Sequence, residues 1–415
     1  MVSLESSMER EVLKSSLIKV FEALFIISFL ALFWTYLGYP SSLYLLSFFY
    51  KVKGRKADDG FTPNVSIMIM TYNEAKVIEE KLVNTLSLDY PKDRLEILVV
   101  DSGSTDGTEA LVKKYFPQGV KLVEEGERRG KASAINLGLN HASGDVVMIT
   151  DANTFLAEDC LRRLVKHFAD EKVGGVSGRF VPITIENGLA SKGESLYWQV
   201  EGWMKEKESL LDSPSTLVGP ITVIRRDVIG KVDEESITED FEISVAIRGK
   251  GYKLVYEPDA KGYEAMPQNI SDLIKQKERI TIGTLRTLAK YRKILFNPKY
   301  GLYGSLILPS HKFFQTLTPF FLIISSSTTI ILNFYSSSPL FSLAFYLLAA
   351  TVLLFLASLI ASILPLPANM KSFFNALSYF ILLQAILISG WKSYLTGKHQ
   401  IKWEKIESAR IPVKC

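Results

Sequence analysis

The stretch Gly144-Asp145-Val146-Val147-Met148-Ile149-Thr150-Asp151-Ala152-Asn153 is an apolar run that ends abruptly in an acid, a small residue and an amide. Short apolar runs that contain β-branched residues and are bounded by glycine and polar residues are typical of buried parallel strands. Open α/β sheets bind their ligands just beyond the carboxyl ends of such strands. The pattern therefore predicts that Asp151 and Asn153 lie where a cation and a phosphate can meet.

Strand and helix patterns alternate in the region that precedes this stretch. Strands are predicted at 65–70, 95–100 and 120–123, with helices at 74–86 and 131–141. Strands that alternate with helices indicate βαβ units and a mostly parallel sheet. Acids stand at the ends of the first, second and fourth strands, so these acids are expected at one edge of the sheet.

The pattern beyond the central stretch is more mixed. Two further strands are predicted at 173–182 and 216–224, and two helices at 191–211 and 241–248. Together with the preceding units, they indicate one α/β domain with a Rossmann-like, mostly parallel sheet.

Four apolar segments outside this domain are each long enough to cross a bilayer, which needs about 20 residues. They cover 17–37, 312–334, 340–364 and 372–395. The first segment lacks a short apolar region followed by a small-residue cleavage site, so we interpret it as an anchor and not as a removed signal peptide. The chain is therefore predicted to be a multi-pass protein of the cell membrane.

Basic residues predict on which side of the membrane the α/β domain lies. Positive residues beside an apolar segment mark the cytoplasmic side, and four follow the first segment: Lys51, Lys53, Arg55 and Lys56. The domain is therefore expected to be cytoplasmic. Three later crossings would put the end of the chain outside, yet the basic residues there favour the inside: Lys398, Lys402, Lys405 and Arg410. Either one segment does not cross, or the rule fails at this end.

These patterns divide the chain into four parts. They are an apolar helix with its basic segment at 1–57, the α/β domain at 58–268, amphipathic interface helices at 269–311, and apolar helices with a tail at 312–415. The third part carries basic residues that fit a helix lying on a membrane surface: Lys275, Lys277, Arg286, Lys290, Arg292 and Lys293.

The composition excludes several classes of protein. The chain has 415 residues and a formal net charge of +4, which is too small to argue for a nucleic-acid partner. Its two cysteines, Cys160 and Cys415, cannot form a disulfide framework, which favours a reducing compartment. The four histidines lie far apart in the sequence, so no zinc site is predicted.

Five motifs in order resemble those of the membrane-bound members of glycosyltransferase family 2. They are Thr71-Tyr72-Asn73-Glu74, Val100-Asp101-Ser102 with Ser104-Thr105-Asp106-Gly107-Thr108, Asp151-Ala152-Asn153, Thr238-Glu239-Asp240, and Gln276-Lys277-Glu278-Arg279. The resemblance covers about residues 60 to 295. It implies an inverting hexosyltransferase with a GT-A fold, similar to cellulose, hyaluronan and poly-N-acetylglucosamine synthases and to ceramide glucosyltransferase.

The first two motifs offer groups that suit a nucleoside. The carboxylates of Glu74 and Asp101 can accept hydrogen bonds from base N–H groups and ribose hydroxyls, and we predict that Thr71 and Asn73 also bind the nucleotide-sugar. For Glu74, an equally good interpretation is an acid in the first turn of a helix, where the helix dipole favours negative charge.

Lys131 is the predicted ligand of the donor's diphosphate. It follows Gly130 at a predicted helix start, where backbone N–H groups and a cation suit phosphate oxygens. A solvated basic face is the alternative interpretation. Members of the family place a basic residue near this position against the donor, which favours the binding role.

Asp151 and Asn153 correspond to the family's Asp-x-Asp element, which holds a divalent cation that bridges the two donor phosphates. Mg²⁺ and Mn²⁺ take oxygen ligands and share them with substrate phosphates. The second acid of the element is an asparagine here, and its amide oxygen brings no charge. Metal binding without donor is therefore expected to be weaker, and a strand end with an Asx turn is the alternative for Asn153.

Asp240 is the predicted general base. Sugar transfer with inversion needs one carboxylate to take the proton from the acceptor hydroxyl as that hydroxyl attacks the anomeric carbon. An N-terminal helix cap is the alternative role for this motif, and we expect Thr238 to supply the cap.

Gln276 and Arg279 are three residues apart and share one helix face. Within the family, this pair contacts the donor diphosphate and the acceptor. Ile280 follows where many relatives carry a tryptophan that packs against an acceptor sugar, and this departure weakens the prediction of a processive synthase.

The combined prediction is an inverting membrane glycosyltransferase that moves a sugar from a nucleotide-sugar, with UDP as the expected nucleotide, to an acceptor hydroxyl. The acceptor is a polysaccharide or a lipid-linked glycan at the bilayer. One alternative is a glycolipid or polyprenyl-phosphate glycosyltransferase that makes a single transfer. A more remote alternative is a membrane nucleotidyltransferase, which would release diphosphate.

Overall fold

The structure is a computed structural model that describes residues 2–49, 56–183, 189–267, 269–336, 338–361, 364, 367–397 and 406–411. Several basic residues of the topology prediction lie outside the described residues, namely Lys51, Lys53, Arg55, Lys398, Lys402 and Lys405. The chain forms two compact units. One comprises Met1–Ser42 and Ser310–Ile388, and the other comprises Leu43–Pro309 and Ser389–Cys415.

The unit that contains the predicted α/β domain is built around one eight-stranded sheet. Its strands are β1 (Val65–Thr71), β2 (Leu95–Asp101), β3 (Val120–Glu124), β4 (Val146–Asp151), β5 (Thr154–Leu156), β6 (Val173–Ile183), β7 (Thr222–Arg225) and β8 (Lys253–Ala265). The strand order is β3-β2-β1-β4-β7-β6-β8-β5.

The sheet is mixed, with a parallel half that carries the predicted ligand edge. β1 pairs in parallel with both β2 and β4, β2 pairs in parallel with β3, and β6 pairs in parallel with β8. β7 is antiparallel to β4 and β6, and β5 is antiparallel to β8. The predicted α/β class is confirmed, and the neighbouring strands β1 and β4 bring their carboxyl ends side by side.

The central strands are apolar on both sides because both faces of the sheet are covered. Met148 of β4 packs in one buried cluster with Ile67 and Val99, whereas Val147 packs in a second cluster with Met68. Successive residues of a strand point to opposite faces. The continuous apolar run at 146–150 is therefore the pattern of a doubly covered parallel strand.

The described residues form thirteen α-helices. They are α1 (Val2–Phe33), α2 (Tyr39–Phe49), α3 (Ile78–Leu86), α4 (Thr108–Lys113), α5 (Lys131–His141), α6 (Cys160–Val165), α7 (Leu189–Leu211), α8 (Arg226–Ile229), α9 (Glu239–Gly249), α10 (Ile270–Lys290), α11 (Phe314–Tyr335), α12 (Pro339–Ala361) and α13 (Ala368–Thr396).

Three strands differ from the sequence prediction, and one of them is the short β5, Thr154–Leu156, which was not predicted. The strand predicted at 216–224 is shorter, because Gly219–Ile221 forms a 3₁₀ turn and only Thr222–Arg225 joins the sheet. β8 was not predicted at all. Its thirteen residues include Pro258 and Gly262, which interrupt the alternating pattern by which strands are recognised.

Four helical stretches among the described residues are long and apolar enough to cross a membrane, judged by length and composition. They are Glu11–Phe49, Tyr303–Tyr335, Pro339–Ala361 and Phe373–Thr396. A π-helical turn, Trp34–Gly38, lies between α1 and α2.

The unit that holds most of these helices is packed through aromatic and polar contacts. The rings of Phe25 and Phe341 meet edge to face at 5.5 Å. Trp34 Nε1 donates a hydrogen bond to Ser310 Oγ at 3.0 Å. Polar pairs of this kind give helices specific neighbours where apolar packing alone is permissive.

Candidate active site

A cleft lies beyond the carboxyl ends of β1 and β4. Its lining residues are Met70, Thr71, Tyr72, Glu74, Ser102, Arg128, Gly130, Lys131, Ala134, Asp151, Ala152 and Arg410. Met70 of β1 stands opposite Asp151 of β4 in the sheet register. The cleft therefore opens at the strand ends where the sequence predicts a ligand site.

Lys131 and Asp151 form an ion pair in this cleft, with 2.5 Å between Nζ and Oδ1. Lys131 is the first residue of α5, and Gly130 before it has a φ of +117°, which residues with a side chain rarely adopt. Burial by itself lowers the pKa of Lys131, but the charges of Asp151, Glu239 and Asp240 raise it above its ordinary value. The ammonium therefore pairs with Asp151 and also feels the charges of the two acids of α9.

Asp151 is held in its ionised form. Burial by itself raises the pKa of this carboxyl, but the positive charges of Lys131, Arg410 and Lys81 outweigh burial and keep the pKa below its ordinary value. Lys81 is buried behind the cleft, and its Nζ donates to Thr150 Oγ1 at 3.0 Å. Asp151 thus presents a negative charge to the cleft at neutral pH.

The predicted base lies in the first turn of α9. Asp240 Oδ1 accepts a hydrogen bond from the backbone N–H of Phe241 at 2.8 Å. A Cβ built on Gly219 would lie 3.3 Å from Asp240 Oδ2, so the loop approaches the carboxylate closely. Burial raises the pKa of the neighbouring Glu239, although Lys131 and Arg279 act in the opposite direction.

The predicted side-chain cap by Thr238 is wrong. Thr238 precedes α9, but its side chain makes no capping hydrogen bond. The side chain packs against Gly283 of α10, where an added Cβ would come within 2.5 Å of Thr238 Cγ2. The close passage of α10 therefore fixes this side chain away from the helix start.

Asp101 and Asn73 hold the turn that follows β2. Asp101 Oδ1 accepts hydrogen bonds from Thr71 Oγ1 at 3.0 Å and from Ser104 Oγ at 2.5 Å. Asn73 has a φ of 56°, and its Oδ1 accepts from the backbone N–H of Thr105 at 2.8 Å. Thr71 lines the cleft, whereas Asp101 and Asn73 are not among its described lining residues. Their contact with a nucleoside stays a prediction.

Glu74 lies in the turn before α3 and not in the helix. The helix predicted at 74–86 begins at Ile78, so the interpretation of Glu74 as an acid of the first helical turn is wrong. Its backbone N–H donates to Thr108 Oγ1 at 2.8 Å, which ties it to the turn after β2. Its Oε1 accepts a hydrogen bond from Arg410 Nε at 2.8 Å. Glu74 thus lines the cleft as half of a buried ion pair.

Asn153 is buried just behind the cleft. Its Nδ2 lies 3.5 Å from the carbonyl oxygen of Ala409, and its side chain also hydrogen-bonds Glu264. Burial raises the pKa of Glu264, and the charge of Asp151 adds to this effect. The amide that the sequence suggests as a second metal ligand therefore already has protein partners.

The donor set fits a metal ion only together with a substrate. Within the described part of the chain, no group of three or more His, Cys, Asp or Glu side chains could hold an ion. Among the described residues, two carboxylates line the cleft, Asp151 and Glu74, and they are paired with Lys131 and Arg410 respectively. Mg²⁺ is commonly held by one or two carboxylates, waters and substrate phosphates, and this arrangement fits that mode of binding.

Sequence comparison identifies the family of the α/β domain. The model of the family described as Glycosyl transferase family 2 matches residues 66–233, which include β1, β4, Lys131 and Asp151. This central domain belongs to glycosyltransferase family 2. The resemblance inferred from the five motifs is thereby confirmed.

Two curated relatives show how far the similarity extends. The chain is 32% identical over 225 residues to a poly-β-1,6-N-acetyl-D-glucosamine synthase from Staphylococcus aureus, an alignment of 53% of this chain and 54% of that protein. It is 29% identical over 380 residues to the probable glycosyltransferase YdaM from Bacillus subtilis, covering 83% and 87% of the two chains. The chain thus spans about half the length of the synthase that it matches.

One solved structure is similar to this chain in both fold and sequence. It is the mannosyltransferase PcManGT from Pyrobaculum calidifontis in complex with GDP-Man and Mn²⁺, with a TM-score of 0.68 and 27% identity. The match covers 91% of this chain and all of that one. The GT-A-like fold expected for the family 2 domain is thereby confirmed.

Gln276 and Arg279 of the family 2 pattern lie on α10 outside the described lining of the cleft. Arg279 acts on Glu239 by its charge, and its Nη1 lies 3.4 Å from the carbonyl oxygen of Ile237. Gln276 is half-buried on the same helix. The fifth motif thus stands beside the acids of α9, and its contact with a donor stays a prediction.

Lys277 has a different role from the one predicted for the basic helix. It is buried, it pairs with Glu194 of α7 at 2.8 Å, and its Nζ lies 4.2 Å from the centre of the Tyr197 ring. Its inclusion in a membrane-facing basic surface is therefore wrong. Arg286 also pairs within the protein, with Glu235 at 2.9 Å.

The sequence analysis assigned no role in the cleft to three side chains that line it, Tyr72, Arg128 and Arg410. The guanidinium of Arg128 lies 4.1 Å above the ring of Tyr72, and both residues line the cleft. Arg128 and Arg129 directly precede Gly130, and these adjacent basic residues were a sequence signal from which Arg128 could have been predicted as a residue of the site. Arg410 carried no comparable signal, because it is 336 positions from its partner Glu74.

Proposed function

We propose that the chain is an inverting glycosyltransferase that moves a sugar from a nucleotide-sugar to an acceptor hydroxyl at the membrane. The observation that carries this proposal is the ion pair of Lys131 and Asp151 in the cleft, with the acids of α9 close enough to act on the same ammonium. A cation beside a helix start suits a diphosphate, and a carboxylate nearby suits a base.

The donor's diphosphate lies against the start of α5 in this proposal. Lys131 and the cation of Arg128 offset the phosphate charge, and the nucleoside base lies near the ring of Tyr72, which lines the cleft and carries Arg128 on one face. Thr71, Asn73, Glu74 and Asp101 shape the nucleoside side of the cleft, and Gln276 and Arg279 approach from α10.

Asp240 takes the proton of the acceptor hydroxyl in the chemical step. The acceptor oxygen forms a bond to the anomeric carbon from the face opposite the leaving group, while the bond from that carbon to the diphosphate oxygen breaks. The proton remains on Asp240, and the electron pair leaves with the nucleoside diphosphate. One attack inverts the anomeric configuration.

A divalent cation, Mg²⁺ or Mn²⁺, would be held by Asp151 together with the donor phosphates, and it would neutralise the departing nucleotide. Asn153 is the predicted second ligand. To coordinate through its amide oxygen, it would exchange its present contacts with Glu264 and Ala409.

The acceptor in this proposal is a polysaccharide or a lipid-linked glycan. The match to a polysaccharide synthase supports chain extension. The match to a mannosyltransferase spans more of this chain, and it favours testing GDP-sugars beside UDP-sugars. We further propose that the catalytic domain is cytoplasmic, on the basis of the basic residues at 51–56.

A donor screen tests the function. The full chain in lipid nanodiscs is given UDP-glucose, UDP-N-acetylglucosamine or GDP-mannose with Mn²⁺, Mg²⁺ or EDTA, and the released nucleotide is measured. We expect metal-dependent release of UDP or GDP that Asp151→Ala abolishes. Release of free diphosphate would favour a nucleotidyltransferase, and no turnover of a broad set of donors at saturating metal would contradict the proposal. A ladder of long products would exclude a single transfer.

A further inference from the structure

Residues 406–411 pack against the catalytic domain through three successive positions. Ser408 Oγ donates to Asp272 Oδ2 at 2.6 Å, the carbonyl oxygen of Ala409 faces Asn153 Nδ2 at 3.5 Å, and Arg410 Nε donates to Glu74 Oε1 at 2.8 Å. These partners lie on α10, in the turn after β4 and in the turn after β1. The segment, which we name the Arg410 segment, is therefore anchored to three separate elements around the cleft.

Arg410 is the residue of this segment that enters the cleft. Its side chain is only 9% exposed, and it is one of the lining residues together with Lys131 and Asp151. Its Nε is used by Glu74, but its two terminal amino groups have no hydrogen-bond partner in the part of the chain that the structure describes. A guanidinium carries N–H donors on all three nitrogens, so donors remain available at a buried position.

The surroundings of Arg410 indicate the kind of ligand that would use these donors. Arg410 is bonded to Glu74, the preceding Ala409 contacts Asn153, and the charge of Arg410 acts on Asp151 and on Glu264, so the guanidinium lies between Glu74 and the strand end at Asp151. Lys131 and Arg128 supply positive charge to the same space. Buried donors of a cation are costly unless they meet an anion. A planar guanidinium matches phosphate oxygens in a bidentate manner, which an ammonium cannot do.

We infer that Arg410 is a ligand of the donor's diphosphate and that the Arg410 segment completes the donor site. This inference rests on the proposed function. Glu74 holds the guanidinium by Nε and orients its terminal amino groups, so that the diphosphate is bound between Arg410 on one side and Lys131 on the other. Arg410 thereby adds to the donor site a cation that the sheet and its helices do not provide.

Binding measurements on the full chain in nanodiscs test this assignment. UDP, GDP and their nucleosides are titrated calorimetrically in the presence of Mn²⁺ against wild type, Arg410→Ala and Arg410→Lys. We expect Arg410→Ala to weaken binding of the preferred diphosphate by about 10- to 100-fold and to leave binding of its nucleoside unchanged. The lysine variant should recover part of the loss. Arg163→Ala, which removes an exposed arginine paired with Asp159, is the matched control and should bind like wild type.

The possible results separate the inference from the proposed function. Unchanged diphosphate binding by Arg410→Ala would show that this side chain is not a ligand, and tighter binding would show that the segment blocks the cleft. An equal loss for diphosphate and nucleoside would indicate a structural role only. Each of these results would overturn the inference and leave the proposed function standing. A wild-type chain that binds neither UDP nor GDP would overturn the proposed function and the inference with it.

Discussion

Glu239 and Asp240 are adjacent acids of α9 with different surroundings. Glu239 is 7% exposed, and burial raises its pKa. Asp240 is half-buried, is oriented by the backbone N–H of Phe241, and lies against a glycine at position 219 that leaves room beside it. Since a base must be reached by the acceptor hydroxyl, the more accessible Asp240 remains the predicted base.

Asp240→Asn tests this role with almost no change in shape. We expect the rate of transfer to fall by at least about 100-fold, because an amide cannot accept the proton, while calorimetric donor affinity stays near that of wild type. Asp227→Asn makes the same chemical change at an exposed position and serves as the control. Transfer by Asp240→Asn at the wild-type rate would reassign the base.

Asn153→Asp tests the second metal ligand. The substitution adds negative charge beside Glu264 and Asp151, so we expect it to retain activity and to bind Mn²⁺ more tightly when donor is absent. Titration followed by electron paramagnetic resonance measures the free metal. An unchanged affinity for Mn²⁺ would mean that this side chain never contacts the ion.

Among the elements, β2 is fastened to its neighbours by one carboxylate. Glu96 of β2 accepts hydrogen bonds from Ser66 Oγ of β1 at 2.5 Å and from the Ser143 N–H at 2.9 Å, and it pairs with Lys121 of β3 at 2.8 Å. Burial by itself raises the pKa of Glu96, but Lys121, Ser66 and Ser143 outweigh it and lower the pKa from 4.5 to about 2. The ionised form therefore stabilises the parallel half of the sheet.

Glu96→Gln should lower the free energy of unfolding by about 1–2 kcal/mol at pH 7, because the one carboxylate that accepts from Ser66, Ser143 and Lys121 loses its charge. The folded pKa is depressed, so the stabilisation is present above about pH 4.5 and is lost as the pH falls towards about 2. The difference from wild type should therefore shrink in acid. Denaturant unfolding across this pH range measures it, with the exposed Glu171→Gln as control. A difference that persists at pH 2 would contradict this account.

α10 is held on α7 by the ion pair of Lys277 and Glu194. Lys277→Met removes the cation from a buried carboxylate, and we expect the free energy of unfolding to fall by about 3 kcal/mol. Adding Glu194→Gln should recover much of the loss in thermal unfolding. Lys293→Met, at an exposed position, is the control. A double variant as unstable as the single one would mean that packing, and not charge, holds the helix.

For the whole molecule, the contacts of the Arg410 segment lead to a prediction of how many candidate helices cross the membrane. Ser389 and Ser393 of α13 donate to Glu278 Oε1 at 3.0 and 2.7 Å, and Arg410 reaches Glu74. We therefore expect the chain to return to the side of the catalytic domain after 309. Since a chain that returns to one side of a bilayer crosses it an even number of times, we predict that at most two of the three later candidate helices span the bilayer.

Labelling with a membrane-impermeant maleimide tests this topology. Cys415 lies just beyond the Arg410 segment, and Cys160 is buried. A second variant combines Ser87→Cys, which places a cysteine on the catalytic domain, with Cys415→Ser. We expect Cys415 of the wild-type chain and the new cysteine of this variant to label from the same side. Ser338→Cys, between α11 and α12, should label from the opposite side. Labelling of Cys415 and of the Ser87→Cys variant from opposite sides would restore three crossings.

The sequence by itself determined the parallel strands, the apolar helices and the family 2 motifs. Apolar runs, glycines and strand-end acids are local signals, because each reflects the burial or backbone geometry of a few neighbouring residues. For this reason β1, β4, Lys131 and Asp151 were found where the structure has them.

Only the tertiary structure decided which side chains share the cleft. The partners of Asn153, the burial of Lys277 against α7 and the entry of Arg410 beside Glu74 depend on contacts between residues far apart in the chain. A local pattern fixes the face on which a side chain lies but not what packs against that face. The irregular β8 and the Arg410 segment carry no periodic signal, so their place was set by packing and hydrogen bonding in the folded chain.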